Sequence, residues 1–337
     1  MTVWRIAPAA LLLAGLSIGT GHAAALRPQA LLEAALSGLA PAPLAGGAWS
    51  ALGREALLGA LCAPRDGPLL RVALTTRPPS RWQHTACVAV AAAALSDRVV
   101  GHQVLLGFGG ASAPPLTAAL LYRALAARVP DSAGGLAPNR ATSWRVLDPS
   151  LPDAPIRVLL PADGTAEARI LRELVLYGGC VAASARAARP LLAEGCMAQC
   201  GDLRGDVAAA RATPEHGAAA WLREAGPSAV ALVGLATVAA EPELENALPL
   251  DGVAPGLASF ADGSYRAALP VHLLVLQAGA AAEAADAVRA LTAESAIGPS
   301  GTLARRGLAA LPAAGRVRLR KERGNRACAA RAARDGA

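Results

Sequence analysis

Three sets of residues in this 337-residue chain have types that could do chemistry. They are the histidines, the cysteines, and a few hydroxyl, glycine and arginine residues at strand ends. His22, His84, His102, His216 and His272 have no His-Glu-x-x-His spacing and no carboxylate or histidine partner at metal-ligand spacing. They read as packed or surface groups, not as metal ligands or general bases. Gly298-Pro299-Ser300-Gly301 lacks the Gly-x-Ser-x-Gly spacing of a nucleophile elbow, and Ser300 reads as the cap of a following helix. The single lysine, Lys321, excludes a P-loop. Gly107-Phe108-Gly109-Gly110 lacks the third glycine and the distal acidic residue of a dinucleotide loop, and reads as a hinge-like turn. No nucleophile–base pair, metal set or cofactor motif can be named, so the motifs do not ask for an enzyme.

The cysteines follow an N-terminal segment that reads as a secretory signal. Arg5 supplies the positive region, Ala7 to Ile18 the apolar core, and Gly21-His22-Ala23 or Ala23-Ala24-Ala25 the cleavage site. An exported chain favours disulfides. Cys62 and Cys87 are one candidate pair. Cys180, Cys196 and Cys200 form a local group, and Cys328 stands alone. A Cys180–Cys200 bridge would close a loop of about 20 residues, worth about 3 kcal/mol in a chain-entropy treatment. The rival is a thiolate metal site on Cys180, Cys196 and Cys200, which an oxidising compartment disfavours.

The third set sits on a strand–turn–helix. Ile156 to Leu160 is an apolar run, Pro161-Ala162-Asp163-Gly164-Thr165 a turn, and Ile170, Leu171, Leu174 and Val175 have helical spacing. A helix start leaves free N–H groups and a positive dipole end, a ready anion site. Other elements must position it. Strands are expected at Leu69 to Leu74, Val99 to Phe108, Ala229 to Ala239 and Val271 to Leu276. Helices are expected from Thr117 to Val129, through Ala183 to Leu222, and from Ala280 to Leu291. Strands alternating with helices predict an α/β protein with largely parallel sheets.

Hydrophobic residues make up 54% and charged residues 17% of the chain, so a sizeable core is available. Aromatics are only 3%, which leaves that core to Ala, Leu and Val. The net charge of +7 is concentrated from Arg316 onward, where eight basic residues face two acidic ones. No aromatic residue is interleaved there for base stacking, so the run reads as a solvated tail and not a nucleic-acid arm. After the signal no apolar run reaches membrane-spanning length.

Several segments, in order, have the character of one family. They are Leu61-Cys62, Thr76-Arg77, Cys87, Trp144 to Ile156 with its Asp148-Pro149-Ser150-Leu151-Pro152-Asp153-Ala154-Pro155 run, Glu173 to Leu176, Gly179-Cys180, Cys200 to Asp206, Ala261 to Val271, and Gly307-Leu308 with Leu311-Pro312. Together they resemble the periplasmic phosphate-binding proteins of ABC transporters, in the branch with paired cysteines.

That resemblance implies an α/β, two-lobed periplasmic-binding-protein fold of type II with a ligand cleft between the lobes. Residues 1–25 would be the signal peptide, 26–106 and 256–322 the two parts of lobe 1, 107–255 lobe 2, and 323–337 a basic disordered tail. It implies disulfides Cys62–Cys87 and Cys180–Cys200. Its function would be capture of a phosphate-like oxyanion for an ABC permease, by a periplasmic monomer without cofactor, metal or nucleic acid. The family's Ser-Arg falls on Thr76-Arg77, its Ser-Gly-Thr helix start on Asp163-Gly164-Thr165, and its strand aspartate on Arg71. Asp163 is expected to cap the helix and oppose an anion, with Arg77 and Arg71 offsetting it. The alternative is a degenerate binding-protein fold, used as a periplasmic interaction or sensory module, in which Arg77 and Asp163 bridge each other.

Overall fold

The computed structural model describes residues 62, 69–76, 78–91, 94–131, 136–184, 200–205, 209–211, 217–278 and 289–320. The signal segment, Arg77, Cys196, His216, Cys328 and the basic tail beyond 320 lie outside the described residues, as does most of the stretch from Ala183 to Leu222.

The first sheet holds β1 (Leu69–Thr75), β2 (Ala94–Val104), β9 (Ala268–Ala278) and β10 (Ala309–Ala310), in the order β1-β9-β2-β10. Every pairing in it is antiparallel: Thr75 lies opposite His272, Val104 opposite Ala268 and Ala309 opposite His102. The expectation of largely parallel sheets fails here for a topological reason. β1, helix α1 (Arg81–Ala91) and β2 form a strand–helix–strand unit. Its two strands leave a slot between them, and β9 fills that slot running the other way. Cys62 is joined to Cys87 of α1 by a disulfide, with Cα atoms 5.0 Å apart.

The second sheet is mixed. Its order is β3 (Leu106–Gly109), β8 (Val230–Val233), β6 (Val158–Leu160) and β7 (Ala209–Arg211). β3 is antiparallel to β8, while β6 is parallel to both β8 and β7. The single strand expected over Val99 to Phe108 is two strands in two sheets, divided at Leu105. Both backbone groups of Leu105 are held: its N–H donates to Ala267 O (2.9 Å) and its carbonyl accepts from the Tyr265 hydroxyl (3.0 Å). Gly107 and Gly109 lie within β3 and not in a hinge turn. A side chain on Gly107 would run into Leu116, so the glycine there serves packing.

Two other expectations move. Helix α2 (Ala118–Leu125) is capped by Thr117, whose hydroxyl accepts from Leu120 N. It stops at Leu125, and Val129 falls in β4 (Arg128–Pro130), which pairs with β5 (Leu136–Pro138). The apolar run from Ala229 to Ala239 is β8 followed by α7 (Leu235–Ala240), divided at Gly234. A short apolar run has no periodicity to separate strand from helix. Ser300 is not a cap: Gly301 holds the N-cap position of α10 (Thr302–Arg305), and the Ser300 carbonyl accepts from Arg305.

After β6 the chain runs through one continuous helical stretch in three parts, α4 (Ala166–Ile170), a π-helical turn (Leu171–Leu176) and α5 (Tyr177–Ser184). Ile170, Leu171, Val175 and Leu176 are buried on its inner face. Cys180 near its end is bridged to Cys200, with Cα atoms 5.8 Å apart and both residues buried. Trp144, fully buried on α3 (Trp144–Leu147), donates its indole N–H to Ser228 O at 3.0 Å, just before β8. The large core surrounds the second sheet and a smaller one the first. Ala166, the first residue of α4, is buried in the smaller core with Leu74, Val100 and Val271. Among the described residues no helix is long and apolar enough to cross a membrane.

Candidate functional site

The head of α4 is placed by β6 and the turn behind it. Gly164 has φ +80 with open space around it, a backbone setting that glycine accepts at little cost. Thr165 is the N-cap: its hydroxyl accepts from Ala168 N (3.2 Å) and lies 2.7 Å from Ala162 O as a donor. Asp163 therefore does not cap the helix. Its Oδ1 takes a hydrogen bond from Arg172 at 2.8 Å, with both side chains well exposed. An exposed pair of this kind is worth about 0.2–1 kcal/mol. The carboxylate expected to oppose an anion is thus turned outward along its own helix.

The residues that fill the inner side of the helix head are Glu167 and Arg169. Arg169 donates to the hydroxyl of Thr76, which follows β1 and is 8% exposed. This contact joins the helix that follows the second sheet to the end of a strand of the first. Of the sequence-derived set, Thr76 is brought to α4 through Arg169, and Gly164 and Thr165 form the turn beside it. Arg71 lies in β1 opposite Leu276, its side chain outside what is described. Arg77, the expected charge partner, is outside the described residues.

Glu167 is the least expected occupant. Its Oε1 accepts from Gln103 Nε2 at 2.7 Å. Its own backbone N–H and the nearby Thr165 hydroxyl also favour its charged form. On its far side it packs on Gly234, the residue ahead of α7. A Cβ built there would fall 2.9 Å from the Glu167 Cγ and Cδ, so only glycine leaves room for it. Burial raises the carboxyl above the ordinary glutamate value, and these hydrogen bonds pull it part of the way back. Gln103 is 1% exposed and its Oε1 has no donor among the described residues. Beside it, burial and then the charge of His272 lower the pKa of His102.

A carboxylate in this position does what a bound anion would do. It meets a free N–H at the positive end of a helix. A second anion about 4 Å away would meet repulsion of roughly 1 to 4 kcal/mol, depending on local screening. The first turn of α4 carried a signal for this. Glu167 and Arg169 are its only charged residues, and an acidic residue there complements the helix dipole. Gln103 carried no such signal, because its proximity depends on how β2 meets the helix. The contact between His272 Nδ1 and Asp97 Oδ1 (2.7 Å) was likewise hidden until the pairing of β9 with β2 set its register.

Geometry of this kind defines a class by fold: the chain has the two-lobed fold of the periplasmic phosphate-binding proteins. The particular likeness is to a possible phosphate binding protein from Planctomyces limnophilus, with a TM-score of 0.51, 14% identity, and coverage of 75% of this chain and 80% of that one. PstS from Borrelia burgdorferi matches with a TM-score of 0.47, 10% identity, and coverage of 72% and 79%. An ABC-type phosphate transport receptor from Vibrio cholerae matches with 0.43, 14%, and coverage of 72% and 80%. No family model matches the chain, and no curated protein matches it in sequence.

Proposed function

We propose that this protein is an exported solute-binding protein that captures a phosphate-like oxyanion in the periplasm and hands it to an ABC permease. In this reading residues 26–106 with 256–322 form one lobe and 107–255 the other, and the protein works as a monomer by lobe closure, without chemistry or cofactor. The observation that supports it most is the meeting of Thr76, Arg169 and the Gly164-Thr165 turn at one helix head. A guanidinium and a helix N-terminus converge there between the two sheets, and both favour oxyanions. The Arg169 guanidinium stands where the unassigned positive charge of the cleft is needed, with Arg77 as the second candidate.

One observation favours the alternative of an interaction or sensory module: the helix head already holds Glu167. The test is calorimetric titration of the mature protein with phosphate and sulfate, together with Arg169→Met. Saturable binding weakened more than tenfold by Arg169→Met supports capture. Flat titrations with both anions, for wild type and for a variant lacking the Glu167 charge, refute it and leave the interaction module.

A further inference from the structure

We propose that Glu167 is an autoinhibitory plug of the oxyanion site, its carboxylate holding the anion position at the head of α4 so that a small oxyanion binds only when that charge is moved or neutralised. The inference rests on the oxyanion reading above. Three features carry it. The carboxylate is held by a donor that a ligand anion would use, Gln103 Nε2, and lies where its own N–H and the Thr165 hydroxyl favour a negative charge. It fits because position 234 has no side chain. Gln103, which holds it, is 1% exposed with its Oε1 lacking a donor among the described residues. The amide is therefore anchored on one side only and is free to re-pair when Glu167 leaves.

The groups around the plug decide how it is released. On α4 they are Arg169, engaged with Thr76 of the β1 end, and Arg172, engaged with Asp163. From β2 the facing residue is Gln103, with His102 next to it and His272 of β9 beyond. From α7 it is Gly234. No cation is paired with the carboxylate in the hydrogen bonds that hold it. Burial already favours its protonated form, so its charge is lost at a higher pH than for an exposed glutamate. Lowering the pH through that value removes the repulsion, and binding of an anion draws a proton with it.

The experiment is calorimetric titration with phosphate and sulfate of the mature wild type, Glu167→Gln and Glu167→Ala, each first shown to be folded by a thermal melt. At pH 7.5 Glu167→Gln is expected to bind at least about fivefold more tightly than wild type. Repulsion of the size worked out above corresponds to about fivefold to several hundredfold. Wild type should bind sulfate, whose charge is constant over the range, more tightly at pH 4.5 than at pH 8, and Glu167→Gln should lose that dependence. Measurable binding of wild type that Glu167→Gln leaves equal or weaker overturns the plug while the oxyanion reading stands. No binding by wild type or either folded variant overturns both. Should neither variant fold, the wild-type sulfate series decides, and a flat profile between pH 4.5 and 8 overturns the plug.

Discussion

The contact between Arg169 and Thr76 is the direct side-chain hydrogen bond that carries the α4 helix head onto the end of β1, and its strength can be measured. The perturbations are Thr76→Val, which keeps the β-branched shape of a residue 8% exposed, and Arg169→Met, which keeps the length of the stem. A hydrogen bond to a charged donor is worth about 1.5–3 kcal/mol. The Arg169 side chain is only half-buried, so its guanidinium recovers part of this from water once the hydroxyl is gone. The expected coupling is therefore about 1–2 kcal/mol. Each single change should cost about as much, with Arg169→Met costing more because it also removes apolar stem contacts. The assay is urea unfolding of the mature protein for wild type, both singles and the double, followed by two probes to test two-state behaviour. Should the two substitutions add to within about 0.5 kcal/mol, the contact carries no energy. The helix head would then be held onto the first sheet by other contacts.

Thr165→Ala removes the N-cap and should cost about 1 kcal/mol by the same unfolding assay, whereas Asp163→Ala should cost no more than about 1 kcal/mol, since it and Arg172 are both exposed. Replacing Cys180 and Cys200 together with alanine should cost about 3 kcal/mol, from the 20-residue separation that their bridge closes, and dithiothreitol should then shift the variant less than it shifts wild type. The raised carboxyl of Glu167 gives a pH signature in stability without ligand. Its folded-state value lies above the unfolded one, so between those two values stability falls as pH rises. Glu167→Gln should remove that decline, and its thermal melts should gain on wild type toward pH 8 while matching it near pH 4.

Much of the architecture was legible in the apolar runs. β1, β6 and β9 sit on the runs at Leu69, Ile156 and Val271, and Ile170, Leu171 and Val175 do form the inner face of a helix. Strand direction was not legible, because it depends on β9 returning into a slot whose walls are roughly 165 to 210 residues earlier. The divisions at Leu105 and Gly234 were not legible for a similar reason. Each is set by partners across the chain, Tyr265 and Ala267 for one and Glu167 for the other. At the site, the turn at Asp163-Gly164-Thr165 is legible in the sequence, but the cap expected of Asp163 is made by Thr165, because the threonine hydroxyl is the group within reach of Ala168 N. The chain instead turns Asp163 out to Arg172 and folds Glu167 in.

The π-helical turn between Leu171 and Leu176 separates two halves of one rod that answer to different neighbours. The lower half is clamped by the Cys180–Cys200 bridge and by Gly179, whose backbone lies against Ala118 and Tyr122. The upper half presents Ala166, Glu167 and Arg169 to the first sheet. A π turn accommodates one more residue than an α turn, and each residue of an α-helix advances about 100°. Deleting a single residue within this turn would restore regular winding and swing the upper half by about that angle. Glu167 and Arg169 would leave the interface as a unit, while the lower half stayed in place. The extra residue works as an index mark: it sets which side chains the rod points at the opposite lobe, independently of how the rod is anchored.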